Sequence, residues 1–194
     1  MRKRDLIVCA LQCEAKPIVS YLELTQNKGY SYPVYMNDDV VLVLCGIGKE
    51  EAYNATSFML KHIDIKRTFN IGICGCKDIN TPIGTLFSIE KVIEQTPSID
   101  NKIFIHIFET ISSSSATITT VDEPLDDKRL LKTKLVDMEL SGFVRACVDS
   151  DISKYNIHSF KVVSDHLSTK IPKAKFVSEL IRQNIRYIVE NYLK

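Results

Sequence analysis

The sequence has almost no net charge to offer a polyanion. Its 25 Lys and Arg stand against 24 Asp and Glu, a formal +1. That balance favours neither nucleic acid nor an anionic membrane as a partner. No apolar run reaches the roughly 20 residues a membrane helix needs. The basic start, Arg2, Lys3 and Arg4, runs directly into Asp5 and a strand-like stretch, without the apolar core of an export signal. A cytoplasmic location is therefore expected. Zinc spacing is lacking too: Cys74 and Cys76 form C-x-C, and no second Cys or His pair follows. A metal site is not expected. Without an export signal, Cys9, Cys13, Cys45, Cys74, Cys76 and Cys147 read as reduced thiols, mostly buried, rather than disulfides. No internal repeat or linker divides the 194 residues, which fit one domain over 1–194.

With 45% hydrophobic and 25% charged residues, the composition is globular. Leu6 to Leu11 is a continuous apolar run, as in a strand buried on both faces. Glu14 to Leu24 has helical spacing, with Pro17 tolerable in its first turn. Val34 to Met36 and Val40 to Cys45 flank the polar tip Asn37-Asp38-Asp39, a hairpin signal. Gly46-Ile47-Gly48 turns the chain into a helix running to about Lys61. Further strands are expected at Thr68 to Cys74, Thr85 to Ile93, Ile103 to Phe108, Ala116 to Val121 and Ile157 to Val163. A polar loop at Ser112 to Ser115 separates two of them. Short helices are expected at Asp126 to Leu131 and Glu139 to Val148. A last helix from about Lys173 carries the stripe Phe176, Val177, Leu180, Ile181, Ile185, Ile188 and Tyr192. This alternation predicts an α/β/α three-layer sandwich around a mixed, mainly parallel sheet. Ligands bind such sheets beyond the carboxyl ends of the strands.

Those strand ends hold the chemistry: Cys13-Glu14, Gly46-Ile47-Gly48-Lys49, Gly72-Ile73-Cys74-Gly75 and Ser164-Asp165-His166. To them is added Val136-Asp137-Met138-Glu139, where a short apolar run meets a helix start. Each has a plain reading. Glu14 and Glu139 could simply complement helix dipoles, Asp165 could cap a helix or fill a turn, and the glycines could serve turns alone. Ser164, Asp165 and His166 contain the residue types of a hydrolytic triad, but neighbours on an extended segment point to opposite faces. Gly46-x-Gly48 lies between strand and helix, as a dinucleotide fingerprint would. However, Glu51 takes the place of the third glycine and no acid ends the next strand.

Taken in order, these segments resemble the superfamily of purine nucleoside phosphorylases and methylthioadenosine/S-adenosylhomocysteine nucleosidases. The resembling stretches are CALQCEAKPI at 9–18, CGIGKEEAYNA at 45–55, NIGICG at 70–75, IGTLF at 83–87, VDME at 136–139 and VVSDH at 162–166. They span nearly the whole chain, and VDME with SDH is the most specific pair. The resemblance implies that Glu14 helps position an attacking water. It implies that Met138 packs on the ribose while Glu139 accepts hydrogen bonds from its hydroxyls, and that Asp165 donates a proton to N7 of the purine. Gly72 and Gly75 match the turn where backbone approaches sugar and base. These roles suit a reaction that builds positive charge on the sugar and negative charge on the base.

Three departures accompany the resemblance. Ile73 stands where the superfamily generally has a serine near sugar and nucleophile. Asn70 stands where bacterial phosphorylases carry a phosphate-binding arginine. The serine loop at 112–115 replaces a longer insertion that helps wall the pocket. The leading expectation is a nucleosidase-like hydrolase that releases a purine base from a small-molecule nucleoside with water as nucleophile and no cofactor or metal implied, as a homodimer or larger homo-oligomer. The alternatives are a phosphate-dependent phosphorylase and a non-catalytic nucleoside-binding relative.

Overall fold

The computed structural model describes residues 3–94, 104–107, 115–125, 129, 131–167, 170 and 172–193. Among the described residues, ten strands and four α-helices follow in the order β1 Arg4–Cys9, α1 Gln12–Tyr21, β2 Thr25–Asn27, β3 Val34–Met36, β4 Val40–Leu44, α2 Lys49–His62, β5 Ile65–Cys76, β6 Leu86–Glu94, β7 Phe104–Ile107, β8 Ser115–Thr120, β9 Leu135–Asp137, α3 Leu140–Asp149, β10 Ile157–Asp165 and α4 Ala174–Tyr192. The central strands β4, β1, β5 and β10 are mutually parallel. Antiparallel partners lie outward: β3 on β4, β2 on β3, β6 on β10 and β7 on β6. On the other side β6, β8 and β9 run parallel, and β9 pairs back antiparallel onto the end of β5. Strands β5, β10, β6, β8 and β9 thus close into a ring.

The apolar character of β1 and β4 follows from burial on both faces. Leu6 and Val8 point to one side with Ala52, Ala55 and Met59 of α2 and Phe143, Val144 and Cys147 of α3. Ile7 and Cys9 point to the other with Ile18 of α1 and Leu180, Ile181, Ile185 and Ile188 of α4. Two helix pairs therefore sandwich the sheet, as the alternation of elements predicts. All six cysteines are free, and all but Cys13 are buried.

The differences from the sequence reading are local. β2 has no counterpart among the expected strands, because three polar residues on a sheet edge carry no apolar signal. α1 starts at Gln12, so Pro17 lies in its second turn and costs one backbone hydrogen bond. Phe176 and Val148 stand outside their helices' buried stripes, 43% and 48% exposed. Ser115 opens β8, whereas residues 112–114 and most of the short helix expected at 126–131 lie outside the described residues. Among the described residues, no helix is long and apolar enough to cross a membrane.

Candidate active site

A cavity of about 350 Å³ opens where β1, β4, β5 and β10 end and where β8 and β9 arrive. Glu14, Ile73, Gly75, Met138, Glu139 and Asp165 all line it, although they come from four separate stretches of sequence. Much of the remaining wall is apolar: Leu11 and Ile47 on the β1 and β4 sides, Val121, Pro124 and Leu125 after β8, and Leu167 after β10. Met138 packs with Leu125 and Leu167 against buried Val121, Leu131 and Val136.

Glu14 is 3% exposed and tightly held. Its Oε2 accepts the N–H groups of Ala10 at 3.1 Å and Leu11 at 2.9 Å, and its Oε1 accepts that of Ile73 at 2.9 Å. The carboxylate thus caps α1, as its plain reading holds, and also ties α1 to β5. An ionised carboxylate has about four lone-pair sites. Three are filled here, which leaves one on Oε1 for a further donor. Burial raises the Glu14 pKa despite these donors and the nearby Lys161.

Gly72 does not line the cavity, and it lies within β5 rather than at a turn. Its role is steric. A Cβ at this position would lie 2.8 Å from Glu14 Oε1, so only glycine leaves the carboxylate its place. Gly75 does line the cavity, and a Cβ there would crowd Val136, Leu167 and Asp165 Oδ1 at 3.1–3.3 Å. The Ile73 side chain offers no donor, but its backbone N–H is the one that holds Glu14.

Glu139 is the N-cap residue of α3, yet its side chain makes no capping bond to that helix. Instead Oε1 accepts the N–H of Gly48 at 3.0 Å, 91 residues away. The helix is served by Asp137, whose Oδ2 accepts the N–H of Leu140 at 3.0 Å. The plain helix-start reading therefore fits Asp137 and not Glu139. Gly48 can present its N–H because it adopts φ +110°, a conformation that favours glycine. Burial pushes the Glu139 pKa up to about 7; Lys161 opposes this, and the charges of Asp137 and Glu14 add to it.

Two residues of the site were not assigned a role from the sequence. Lys161 Nζ lies 2.7 Å from Asp137 Oδ2, with side-chain exposures of 2% and 1%. Asp137 Oδ1 also accepts the Thr120 hydroxyl at 2.7 Å. Burial works against the Lys161 charge, but Asp137, Glu139 and Glu14 together raise its pKa. The available signal was Lys161 itself, a charge inside the apolar strand Ile157–Asp165, where lysine is rare unless paired. Four acidic side chains, Glu14, Asp137, Glu139 and Asp165, thus share the cavity wall with Lys170, and Asp137 is paired with the buried Lys161.

At the end of β10, Asp165 accepts the Ser164 hydroxyl at 2.7 Å on Oδ2. His166 turns away, with Nδ1 3.3 Å from the Cys76 carbonyl, so the three residues do not form a triad. Asn70 is buried, 2% exposed, and its Nδ2 donates to the Val8 carbonyl at 3.3 Å. It is not part of the cavity wall. Among the described residues, no three His, Cys, Asp or Glu side chains are grouped to hold a metal ion.

No protein-family model matches the chain, and no curated protein matches it in sequence. Solved structures do. A mutant of Helicobacter pylori 5′-methylthioadenosine/S-adenosylhomocysteine nucleosidase, with 5′-methylthioadenosine in its active site, superposes with a TM-score of 0.83 at 12% identity, covering 98% of this chain and 99% of that one. The futalosine hydrolase of the same organism gives a TM-score of 0.80 at 13% identity, covering 96% and 95%. The nucleosidase of Colwellia psychrerythraea, in complex with adenine, gives 0.79 at 18% identity, covering 97% and 93%. Over nearly its whole length, the chain has the fold of the methylthioadenosine/S-adenosylhomocysteine nucleosidases and of futalosine hydrolase.

Proposed function

We propose that the chain is a nucleosidase that hydrolyses the N-glycosidic bond of a purine-type nucleoside, with water as the nucleophile. The observation that carries this reading is the meeting of Glu14, Met138, Glu139 and Asp165 at one largely apolar cavity. Breaking the bond leaves positive charge on the sugar. The carboxylates of Glu139, Asp137 and Glu14 stabilise that charge in a setting poor in water. Glu139 anchors the ribose hydroxyls and Met138 packs against the ring. The single open acceptor site of Glu14 orients the water and takes its proton as attack proceeds. Asp165 protonates N7, so the base departs neutral.

Phosphorolysis is the rival reaction. A phosphate dianion needs cationic or backbone donors. Here Lys161 is already paired with Asp137, and the Ile73 N–H is committed to Glu14. Lys170 also lines the cavity, but it is exposed and shares the wall with the acidic side chains of Glu14, Asp137, Glu139 and Asp165. Charge around the sugar therefore favours water. The solved relatives with 5′-methylthioadenosine or adenine in place put adenine nucleosides first on the list of substrates. The same reading includes a cytoplasmic homodimer or larger homo-oligomer, whose mass light scattering measures. The direct test is to incubate the pure protein with adenosine, 5′-methylthioadenosine, inosine and uridine and to measure free base. Release from a purine member supports the proposal. No release from any member would remove it, and calorimetric binding without release would favour the non-catalytic nucleoside-binding relative.

A further inference from the structure

Lys49 is the first residue of α2 and follows the turn that presents Gly48 to Glu139. Its backbone is pressed against α3: a Cβ on Gly142 would lie 1.9 Å from the Lys49 carbonyl oxygen, so the two helices meet there without a side chain between them. From this fixed base the side chain runs inward and is only 7% exposed. Its ammonium lies 3.0 Å from Glu94 Oε1, at the end of β6, and 2.8 Å from Asp122 Oδ1. The Glu94 side chain is also 7% exposed, whereas that of Asp122 is 42% exposed.

Asp122 has no place on the cavity wall, but its neighbours do. Val121, Pro124 and Leu125 form the wall after β8, and Val121 and Leu125 belong to the apolar cluster that also contains Met138. The Val121 N–H is held by the Asp137 carbonyl at 2.9 Å. The segment leaving β8 is thus fixed at its start by backbone pairing and one residue later by the Lys49 ammonium. The same short turn carries Ile47 on the wall, Gly48 on Glu139 and Lys49 on Asp122.

We propose that Lys49 is a positioning residue for substrate binding: by gripping Asp122 against buried Glu94, it holds the 121–125 wall over the cavity in fixed relation to Glu139. The inference rests on the nucleosidase reading for its substrate but adds a residue to which that reading gives no role. A lysine so placed does not touch substrate. Its loss acts on how well the wall fits the bound nucleoside, and so on KM more than on kcat.

The test uses Asp122→Asn, which keeps size and removes charge, and Lys49→Met, which keeps the apolar stem. Amide hydrogen exchange over 121–125 should quicken in both variants. With 5′-methylthioadenosine or adenosine as substrate, Asp122→Asn should raise KM by about fivefold, the worth of one partly exposed ion pair. The value of kcat should stay near wild type. Lys49→Arg should recover most of the KM. High salt should raise the wild-type KM in the same direction, since Asp122 is partly exposed and screened. Unchanged exchange over 121–125 in Asp122→Asn would overturn the proposal, whether or not the wild type turns over. So would an active wild type whose KM is untouched by Asp122→Asn. A wild type that releases no base, but whose 121–125 amides still loosen in the variants, would keep the clamp and remove the nucleosidase.

Discussion

Lys161 Nζ meets Oδ2 of Asp137, a residue of the cavity wall, at 2.7 Å, with both side chains nearly inaccessible to water. Such a pair stabilises little by itself, because desolvation offsets attraction. Breaking it strands a buried charge, typically at about 3–5 kcal/mol. Lys161→Met should therefore lower unfolding free energy by about that amount, read from denaturant melts. Adding Asp137→Asn should recover much of the loss, because the stranded carboxylate disappears. A single variant as stable as wild type would mean that the pair is not buried in solution.

Glu139 gives a pH prediction. Burial raises its pKa to about 7, with Lys161 opposing and the neighbouring acids adding. The sugar cation is stabilised by the ionised form, which is depleted below the raised pKa. Thus kcat/KM should climb as pH rises through about 7, on the limb that Glu139 sets. Glu139→Gln should lower turnover and abolish that limb. It should not lower Tm, since the amide oxygen can still accept the Gly48 N–H and Asp137 serves α3. A large fall in Tm with activity unchanged would return Glu139 to a helix-start role.

Asp165→Asn keeps the shape of the proton donor and removes its proton. General acid catalysis typically contributes 10²–10⁴-fold, and turnover should drop by about that factor, with nucleoside binding affected less. The Ser164 hydroxyl can still donate to the amide oxygen, which limits structural change. Turnover near wild type on a purine nucleoside would exclude this role.

Gly72→Ala tests the placement of Glu14. The new Cβ would lie 2.8 Å from Oε1, so the carboxylate must shift and weaken its bond to the Ile73 N–H. Overpacking of this kind costs about 1–3 kcal/mol. Turnover should fall while ribose binding through Glu139 persists, as steady-state kinetics would show. Wild-type turnover in this variant would mean that Glu14 has no close part in catalysis.

How far the sequence disclosed this arrangement differs by level. Long apolar strands and striped helices were legible to within a few residues, because periodicity and length both mark them. The short polar edge strand β2 was not, since its register comes from its neighbour β3. Glu14, Met138, Glu139 and Asp165 could be picked out because each sits at a strand end or helix start in a recognisable motif. Their partners were hidden by distance along the chain. Gly48 lies 91 residues from Glu139 and Glu14 lies 59 from Ile73. The resemblance puts Gly72 and Gly75 at a turn, but the strand continues through both, and the missing side chain of Gly72 serves Glu14. Lys161 was visible as a charge in an apolar run, but its meaning depends on three acids brought from elsewhere.

Product analysis tests the choice of water over phosphate directly. The pure protein is incubated with adenosine and with 5′-methylthioadenosine, in phosphate-free buffer and again with millimolar phosphate, and the sugar product is identified. A hydrolase releases the base at the same rate in both buffers and yields the free sugar. Release that occurs only with phosphate and yields a sugar 1-phosphate would contradict hydrolysis and make the chain a phosphorylase.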